Sequence, residues 1–227
     1  MKINFFGNGS GFTFNHTNAY FIKDNDFVLI DCSMINLQKI LNKKPYEKDV
    51  YLFITHMHDD HVSGATLLIQ WFYYVYKKKL NVVVPKNLLD DIKTDFSIKG
   101  IDESIYNLYT DTNINKDWFV KSIVTKHAPE LNNKCFGYVF NINDAKCIYT
   151  GDTNTLEPFN EDIKDCNELY VDVSAKYGGV HLKYEDVKEK LEEIAENKNV
   201  YIMHIDDLEL MKTLTQNSKV KIAVTNL

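Results

Sequence analysis

Short apolar and β-branched runs, separated by polar turns, recur along the whole chain. Runs of this length bounded by Gly, Asn, Asp and Ser are typical of buried strands. We expect strands over residues 3–6, 19–22, 27–30, 50–55, 81–84, 120–125, 136–140, 146–150, 169–173, 200–203 and 220–224.

Helical periodicity appears between these runs. It is clearest over residues 184–197, where Val187, Leu191, Ile194 and Ala195 follow the i, i+4, i+7, i+8 spacing of an amphipathic helix. Further helices are predicted over 63–79, 87–96 and 206–217, and the polar stretch 99–118 is expected to be a long surface loop or insertion. Because strands and helices alternate without a linker, we expect one α/β domain over residues 1–227.

Composition and charge indicate which macromolecules the protein is not expected to bind. The 227 residues are 44% hydrophobic, enough for a sizeable core, and the formal net charge is −6. All 26 basic residues are lysines. The sequence therefore lacks arginine, whose guanidinium group binds phosphate through two parallel hydrogen bonds. Extended duplex nucleic acid is therefore not an expected partner.

The four cysteines and the apolar runs bear on location. Cys32, Cys135, Cys147 and Cys166 form no C-x-x-C pair, and we expect reduced, mostly buried thiols. The N-terminus shows no signal-peptide pattern, and the longest apolar stretch, 65–76, is shorter than the roughly 18 to 20 residues that cross a bilayer. We expect a cytoplasmic protein without membrane contact.

Candidate chemistry begins with a histidine cluster, His56-Met57-His58-Asp59-Asp60-His61, directly after the predicted strand 50–55. In the turn after a strand, His56 and His58 can converge on one cation while Asp60 and His61 face a second. Imidazole and carboxylate together form a ligand set that Zn²⁺ prefers. The cluster therefore predicts a metal site.

Three later residues have the same placement. His127 follows the strand 120–125, Asp152 follows 146–150, and His204 follows 200–203. Loops at strand ends gather at one edge of a sheet, where sites are commonly built. We expect these three side chains to join the cluster.

The motif H-x-H-x-D-H, present as His56, His58, Asp60 and His61, resembles the signature of the metallo-β-lactamase superfamily. The resemblance implies a metallo-β-lactamase-like αββα sandwich in a single domain. It also implies two metal ions, Zn²⁺ first and Mn²⁺ or another divalent metal as alternatives. The implied ligands are His56, His58 and His127 for one ion, Asp60, His61 and His204 for the other, and Asp152 as the bridge.

Two residues distinguish branches of the superfamily. Histidine rather than glutamate at His58 favours zinc over the di-iron flavoproteins, and aspartate rather than cysteine at Asp152 favours hydrolases that keep two bridged metals. The opening stretch 1–33 and the segment 170–182 are similar to ribonuclease Z and its phosphodiesterase relatives. That likeness implies that Asp172 pairs with His181, which would act on the phosphate as an acid or charge stabiliser.

One departure from ribonuclease Z proper concerns its tRNA-binding arm. Only 24 residues separate His127 from Asp152, enough for a hairpin and too few for the arm. The likeness also implies a homodimer. The aromatic segment 71–76 would contribute to its interface, and the alternative role for this segment is a buried helix.

The function these residues predict is metal-dependent hydrolysis. Two divalent metals lower the pKa of a shared water, which Asp60 and Asp152 would orient, while His181, supported by Asp172, would stabilise the leaving oxygen. We expect a di-zinc phosphodiesterase acting on a small phosphodiester or nucleotide, such as a cyclic nucleotide or a short RNA end. The alternatives are a hydrolase of carboxylic substrates (lactonase, thioesterase or lactamase), ribonuclease Z-like tRNA 3′ processing, and a metal-binding module without turnover.

Overall fold

Two mixed β-sheets pack face to face in the computed structural model, which describes residues 1–225. The final two residues of the predicted 1–227 domain lie outside the described residues. The first sheet has six strands in chain order: β1 (Asn4–Gly7), β2 (Asn18–Lys23), β3 (Asp26–Ile30), β4 (Asp49–Phe53), β5 (Leu80–Val84) and β6 (Tyr106–Thr110). The second sheet contains β7 (Phe119–Val124), β8 (Phe136–Ile142), β9 (Ala145–Tyr149), β10 (Glu168–Ser174), β11 (Leu182–Lys183), β12 (Asn199–Met203) and β13 (Lys221–Ile222).

In the second sheet the order is β13-β12-β10-β9-β8-β7, with β11 paired to the end of β10. The pairs β7–β8 and β8–β9 are antiparallel, whereas β9–β10, β10–β12 and β12–β13 are parallel. Strands β7, β9, β10 and β12 therefore run in one direction and end at one edge. Strands β3 and β4 of the first sheet are likewise parallel to each other.

Helices cover the outer face of each sheet. The first sheet carries α1 (Leu37–Asn42), α2 (Asp59–Val62), α3 (Ala65–Gln70) and α4 (Leu89–Ile98). The second sheet carries α5 (Asn160–Asp165), α6 (Tyr184–Ala195) and α7 (Leu208–Leu214). Short 3₁₀ turns occupy Met34–Asn36, Pro45–Glu47, Lys86–Leu88, Glu103–Ile105, Pro129–Leu131 and Glu157–Phe159, and a π-helical turn occupies Trp71–Val75.

The alternation of side chains along each strand explains this layering. In β3, Phe27 and Leu29 pack under the helices of the first sheet, while Val28 and Ile30 pack between the sheets. The interior layer is rich in aromatic rings, including Trp118. Because both faces of central strands such as β3 and β10 are buried, these strands have continuous apolar runs. The predicted metallo-β-lactamase-like αββα sandwich is confirmed.

The predicted loop at 99–118 is wrong in part, because the segment contains a 3₁₀ turn and the edge strand β6. Only Tyr106 of that strand is fully buried, and the other four residues are half-exposed. An edge strand of this kind has one open side, so polar residues replace the apolar run that marks a central strand. The composition of the segment 99–118 is therefore typical of a loop, although the segment contains a strand.

The predicted helix over 63–79 is also interrupted. Helix α2 ends at Val62, α3 begins after Gly64, and the π-helical turn follows at Trp71. The break brings the chain against the loop after β3, where the Gly64 backbone N–H donates to the Cys32 carbonyl at 2.8 Å. The predicted strand 220–224 contracts to the two residues of β13.

The thiols match their prediction, since all four cysteines are buried and unpaired in the described residues. Across residues 1–225 no helix is both long enough and apolar enough to cross a membrane.

Candidate metal centre and catalytic site

The predicted site residues meet at one edge of the sandwich. Each lies close to the end of a strand: His56 to His61 come after β4, His127 after β7, Asp152 after β9, Asp172 within the last part of β10, His181 just before β11, and His204 after β12. Since these strands end at the same edge, residues far apart in sequence come within contact distance. The structure brings all of them together, as the strand-end argument predicted.

The first group of donors is His56, His58 and His127. The Nδ1 atom of His58 lies 3.0 Å from His56 Nε2 and 3.3 Å from His127 Nε2. Asp152 Oδ2 lies 3.8 Å from His56 Nε2 and 3.6 Å from His127 Nε2. Three imidazole nitrogens and a carboxylate oxygen therefore surround one point.

The second group is Asp60, His61 and His204. Asp60 Oδ2 lies 3.2 Å from both His61 Nε2 and His204 Nε2. The Asp152 carboxylate also reaches this group, with Oδ1 3.5 Å from His61 Nε2 and Oδ2 3.4 Å from His204 Nε2. Asp152 thus faces both groups, so its carboxylate could be shared by two ions.

Hydrogen bonds behind these donors fix the imidazole rings. Asp31 Oδ2 lies 2.8 Å from His61 Nδ1, and Asp31 also accepts from the N–H and hydroxyl of Thr55 at 2.8 Å each. His127 Nδ1 lies 2.8 Å from the Val180 carbonyl. These contacts turn the Nε2 atoms of His61 and His127 toward the cluster, as the outer partners of metal-ligating histidines do.

Asp172 and His181 form a pair that adjoins the cluster, since ligand atoms of these two residues, Asp152 and His204 all lie within 4.8 Å of one another. Asp172 Oδ2 is 2.7 Å from His181 Nδ1 and accepts from the Thr153 N–H at 2.9 Å. Its other oxygen lies 3.5 Å from His204 Nδ1. Asp172 therefore faces both His181 and a member of the second donor group.

Backbone strain coincides with the site. Asp31 and His204 have φ values of 60° and 59°, in the left-handed region that residues with a Cβ rarely adopt. Strain of this kind costs on the order of 1–3 kcal/mol and is found where a site needs a particular side-chain direction. Here it directs Asp31 at His61, and His204 at the second donor group.

Buried negative charge dominates the electrostatics. Burial raises the pKa of Asp31, whereas His61 and His204 hold the pKa of Asp60 below its usual value despite burial. Burial alone would lower the pKa of His204, but the carboxylates of Asp152, Asp172 and Asp60 raise it to about 10. The carboxylates around the second group thus favour positive charge at its centre.

The first group is electrically different. Burial, reinforced by neighbouring imidazoles, lowers the pKa of His56 and of His58. Neutral imidazoles keep the lone pair that binds a metal. A nitrogen-rich group beside a carboxylate-rich one is a donor set that fits two divalent cations.

One buried atom supports this fit. His61 Nε2 is buried and has no hydrogen-bond partner in the described residues. Buried polar atoms are almost always paired, so an unpaired one requires an explanation. This Nε2 lies 3.2 Å from Asp60 Oδ2 and 3.5 Å from Asp152 Oδ1 without a hydrogen bond to either, so a cation between these groups would be its partner. The residues present therefore fit a pair of metal ions.

A cavity of about 590 Å³ opens over the donors, and its lining adds residues that sequence reasoning left without a role. They include His16, so all seven histidines of the chain lie in or around this site. Asp31 was also missed as a partner of His61. Its signal was a carboxylate directly after a buried strand, the same placement that identified Asp152.

Comparison with known proteins agrees with this geometry. Residues 1–225 match the family model described as "Anti-Pycsar protein Apyc1". A ribonuclease Z from Haloarcula marismortui is 24% identical over 152 residues, covering 64% of this chain and 49% of that protein. The chain thus spans about half the length of this curated relative.

Two solved structures share the fold. The metallo-β-lactamase fold protein YhfI from Bacillus subtilis superposes with a TM-score of 0.75 at 14% identity, covering 97% of this chain and 94% of that one. Zn²⁺-bound PqqB from Methylobacterium extorquens gives a TM-score of 0.74 at 10% identity, covering 100% and 99%. Because a family model spans nearly the whole chain, this protein belongs to the anti-Pycsar Apyc1 family, and it has the metallo-β-lactamase fold.

Proposed function

We propose that this protein is a di-zinc phosphodiesterase that hydrolyses a small phosphodiester such as a cyclic nucleotide or a short RNA end. The observation that carries the proposal is the His181–Asp172 pair. It lies beside the two donor groups, and His181 lines the cavity without belonging to either implied ligand set. A histidine held by a carboxylate next to a metal centre is placed to serve a leaving group.

The proposed ligands are His56, His58 and His127 for one ion and Asp60, His61 and His204 for the other, with Asp152 between them. When bound, two such ions lower the pKa of water and neutralise charge on the phosphoryl oxygens. Zinc is proposed because imidazole and carboxylate donors suit it. The PqqB structure, which has the same fold, contains Zn²⁺ and is consistent with this choice.

The chain's own groups would handle the protons and the leaving oxygen. As water adds to phosphorus and one P–O ester bond breaks, the attacking water gives up a proton to solvent and the departing alkoxide takes one up. Asp172 Oδ2 holds Nδ1 of His181, so Nε2 is the atom that would donate this proton. The carboxylates of Asp60 and Asp152 would orient the attacking water.

Small substrates are favoured over tRNA by the chain between His127 and Asp152. It forms the hairpin β8–β9, closed by the two-residue turn Asn143-Asp144, in which both residues have positive φ. Such a turn is the tightest hairpin connection, and it offers no arm that could reach along a tRNA. The formal charge of −6 also disfavours a long phosphate backbone.

A substrate panel tests the proposal. The purified protein is assayed with nucleoside 3′,5′-cyclic monophosphates, a tRNA precursor with a 3′ trailer, p-nitrophenyl acetate and a cephalosporin, each with and without a chelator. We expect chelator-sensitive turnover of the cyclic nucleotides. Turnover confined to the precursor or to the carboxylic substrates would replace the proposal with the corresponding alternative. Absence of any turnover would favour a binding module.

Matched histidine variants separate metal loss from general damage in the same assay. His58→Ala removes a member of the first donor group and should lower both metal content and turnover. His16→Ala removes a histidine that lines the same cavity but belongs to neither group, so its metal content should match that of the unmodified protein.

A further inference from the structure

Two aromatic side chains stand exposed at the cavity that contains the donor groups. Phe12 is fully exposed and Tyr177 is 69% exposed, yet both line this cavity. Within the described residues neither ring packs against another aromatic ring. Exposed large apolar groups at a concave site commonly mark ligand contacts.

The loop that carries Phe12 is fixed to the site. The Thr13 N–H and hydroxyl both donate to the Ser10 carbonyl, at 3.0 and 2.8 Å, which closes the turn around Phe12. The Ser10 N–H donates to the carbonyl of Ile205, the residue after His204. The backbone of the loop that carries Phe12 is therefore anchored next to His204, while the Phe12 ring itself is exposed.

The loop that carries Tyr177 is anchored in a similar way. The Asp206 carboxylate accepts from the Ala175 N–H at 2.6 Å and from the Lys176 N–H at 3.1 Å. The Tyr177 N–H donates to the Ser174 hydroxyl at 2.9 Å. This loop leads directly to His181, so Tyr177 is positioned relative to the proposed proton donor.

We propose that Phe12 and Tyr177 bind the nucleobase of the substrate by stacking, so that the substrate is a nucleotide with one base in the cavity. This inference rests on the proposed phosphodiesterase function. A volume of about 590 Å³ lies in the range of pockets that enclose one small organic ligand. The donor groups supply polar contacts for the phosphate, and the two rings are exposed aromatic groups of the lining that are available to the base.

Stacking also predicts the kind of selectivity. Every base has a π-face, so aromatic platforms bind bases with little preference among them. The site should therefore distinguish ligands with a base from ligands without one, and distinguish the four bases from one another only weakly.

Phe14 offers a matched control. It lies on the same loop, two residues from Phe12, and is 94% exposed, but it lies outside the cavity lining. Phe14→Ala removes the same ring from the same loop, and any effect confined to Phe12→Ala therefore comes from the cavity.

The test measures binding by calorimetry, using metal-loaded protein and ligands that resist hydrolysis. The probes are the nucleoside 3′,5′-cyclic phosphorothioates of the four common bases and the base-free 1-deoxyribose 3′,5′-cyclic phosphorothioate. The ligands with a base should bind roughly 5- to 150-fold more tightly than the base-free one. Phe12→Ala and Tyr177→Ala should each remove a large part of that difference, Phe12→Trp should retain it, and Phe14→Ala should leave it unchanged.

Equal affinity for base-bearing and base-free ligands in the unmodified protein would overturn the inference, as would an undiminished difference in both Phe12→Ala and Tyr177→Ala. Turnover of the parent cyclic nucleotides is measured alongside. Turnover without a base-dependent difference in affinity overturns base stacking and leaves the phosphodiesterase intact. A base-dependent difference that the variants abolish, without turnover, supports stacking and overturns the proposed function.

Discussion

At the scale of single residues, two carboxylates that are not proposed as metal ligands determine the orientation of the histidine side chains. Asp31 fixes His61, and Asp172 fixes His181 while facing His204. Asp172 therefore links the proposed leaving-group histidine to the second donor group. Its substitution should affect both proton donation and metal binding, whereas substitution of His181 should affect proton donation alone.

His181→Ala should reduce kcat by roughly 10² to 10⁴, the usual contribution of a positioned acid–base group, without changing metal content. The loss should be smaller for a p-nitrophenyl ester, since p-nitrophenolate departs with little help. Steady-state kinetics on good and poor leaving groups, with elemental analysis of the same samples, measure both effects. Loss of metal, or an equal loss for both leaving groups, would remove His181 from the proton-donor role.

Asp172→Asn is the companion variant. The amide keeps the shape of the side chain but loses the charge that faces His181 and His204. We expect a smaller kcat loss than in His181→Ala, combined with a metal affinity weakened by about 10- to 100-fold. Metal titration of the variant measures that affinity. Unchanged metal affinity would show that the Asp172 carboxylate, whose Oδ1 lies 3.5 Å from His204 Nδ1, does not contribute to metal binding.

At the scale of elements, the sequence predicted most strands of the two sheets because both faces of these strands are buried. It also predicted which strand ends carry ligands, since a polar side chain after an apolar run is visible in the sequence. The edge strand β6 was not predicted, because its half-exposed residues have a composition similar to that of a loop. Asp31, His16 and Phe12 were left without a role because side-chain partners and cavity walls depend on the packing of distant loops.

Gly151 tests how the turn after β9 places Asp152. Its φ is +58°, and a Cβ there would lie 2.3 Å from the Phe136 carbonyl oxygen. Gly100 has a similar φ of +73° with nothing within 4 Å, so Gly100→Ala isolates the conformational cost, about 1–2 kcal/mol. Gly151→Ala adds a backbone clash to that cost.

We therefore expect Gly100→Ala to lower Tm by about 2–8 °C. Gly151→Ala should lower it further and should also weaken metal binding, because Asp152 must move. Thermal unfolding followed by circular dichroism, with metal analysis, compares the two variants. Equal Tm shifts and full metal content in both would contradict this account of the turn.

At the scale of the whole molecule, the two sheets and their outer helices enclose the cysteines and leave one open cavity over the donors. Burial raises the pKa of Cys135 and Cys147 to about 12 and that of Cys166 to about 11, and it also raises that of Cys32. The predicted homodimer stays a prediction. In the segment 71–76, Phe72 is buried while Tyr74 and Val75 are exposed.

The thiols should report the integrity of the sandwich. At pH 8 the folded protein should react with a thiol reagent far more slowly than free glutathione does, because few thiolates form and access is blocked. After denaturation without reductant, all four should react. Rapid reaction of the folded protein, or fewer than four reactive thiols in the freshly denatured protein, would contradict the structure.

The central claim is that two metal ions, bridged by Asp152, enable this chain to hydrolyse a small phosphodiester. The most direct test is to strip the protein of metal, confirm that it stays folded, and follow cyclic nucleotide hydrolysis while Zn²⁺ is added back. The account predicts no hydrolysis at the start and a rise that saturates near two equivalents per chain, with Asp152→Ala failing to recover activity. Full activity in the metal-free protein would contradict it.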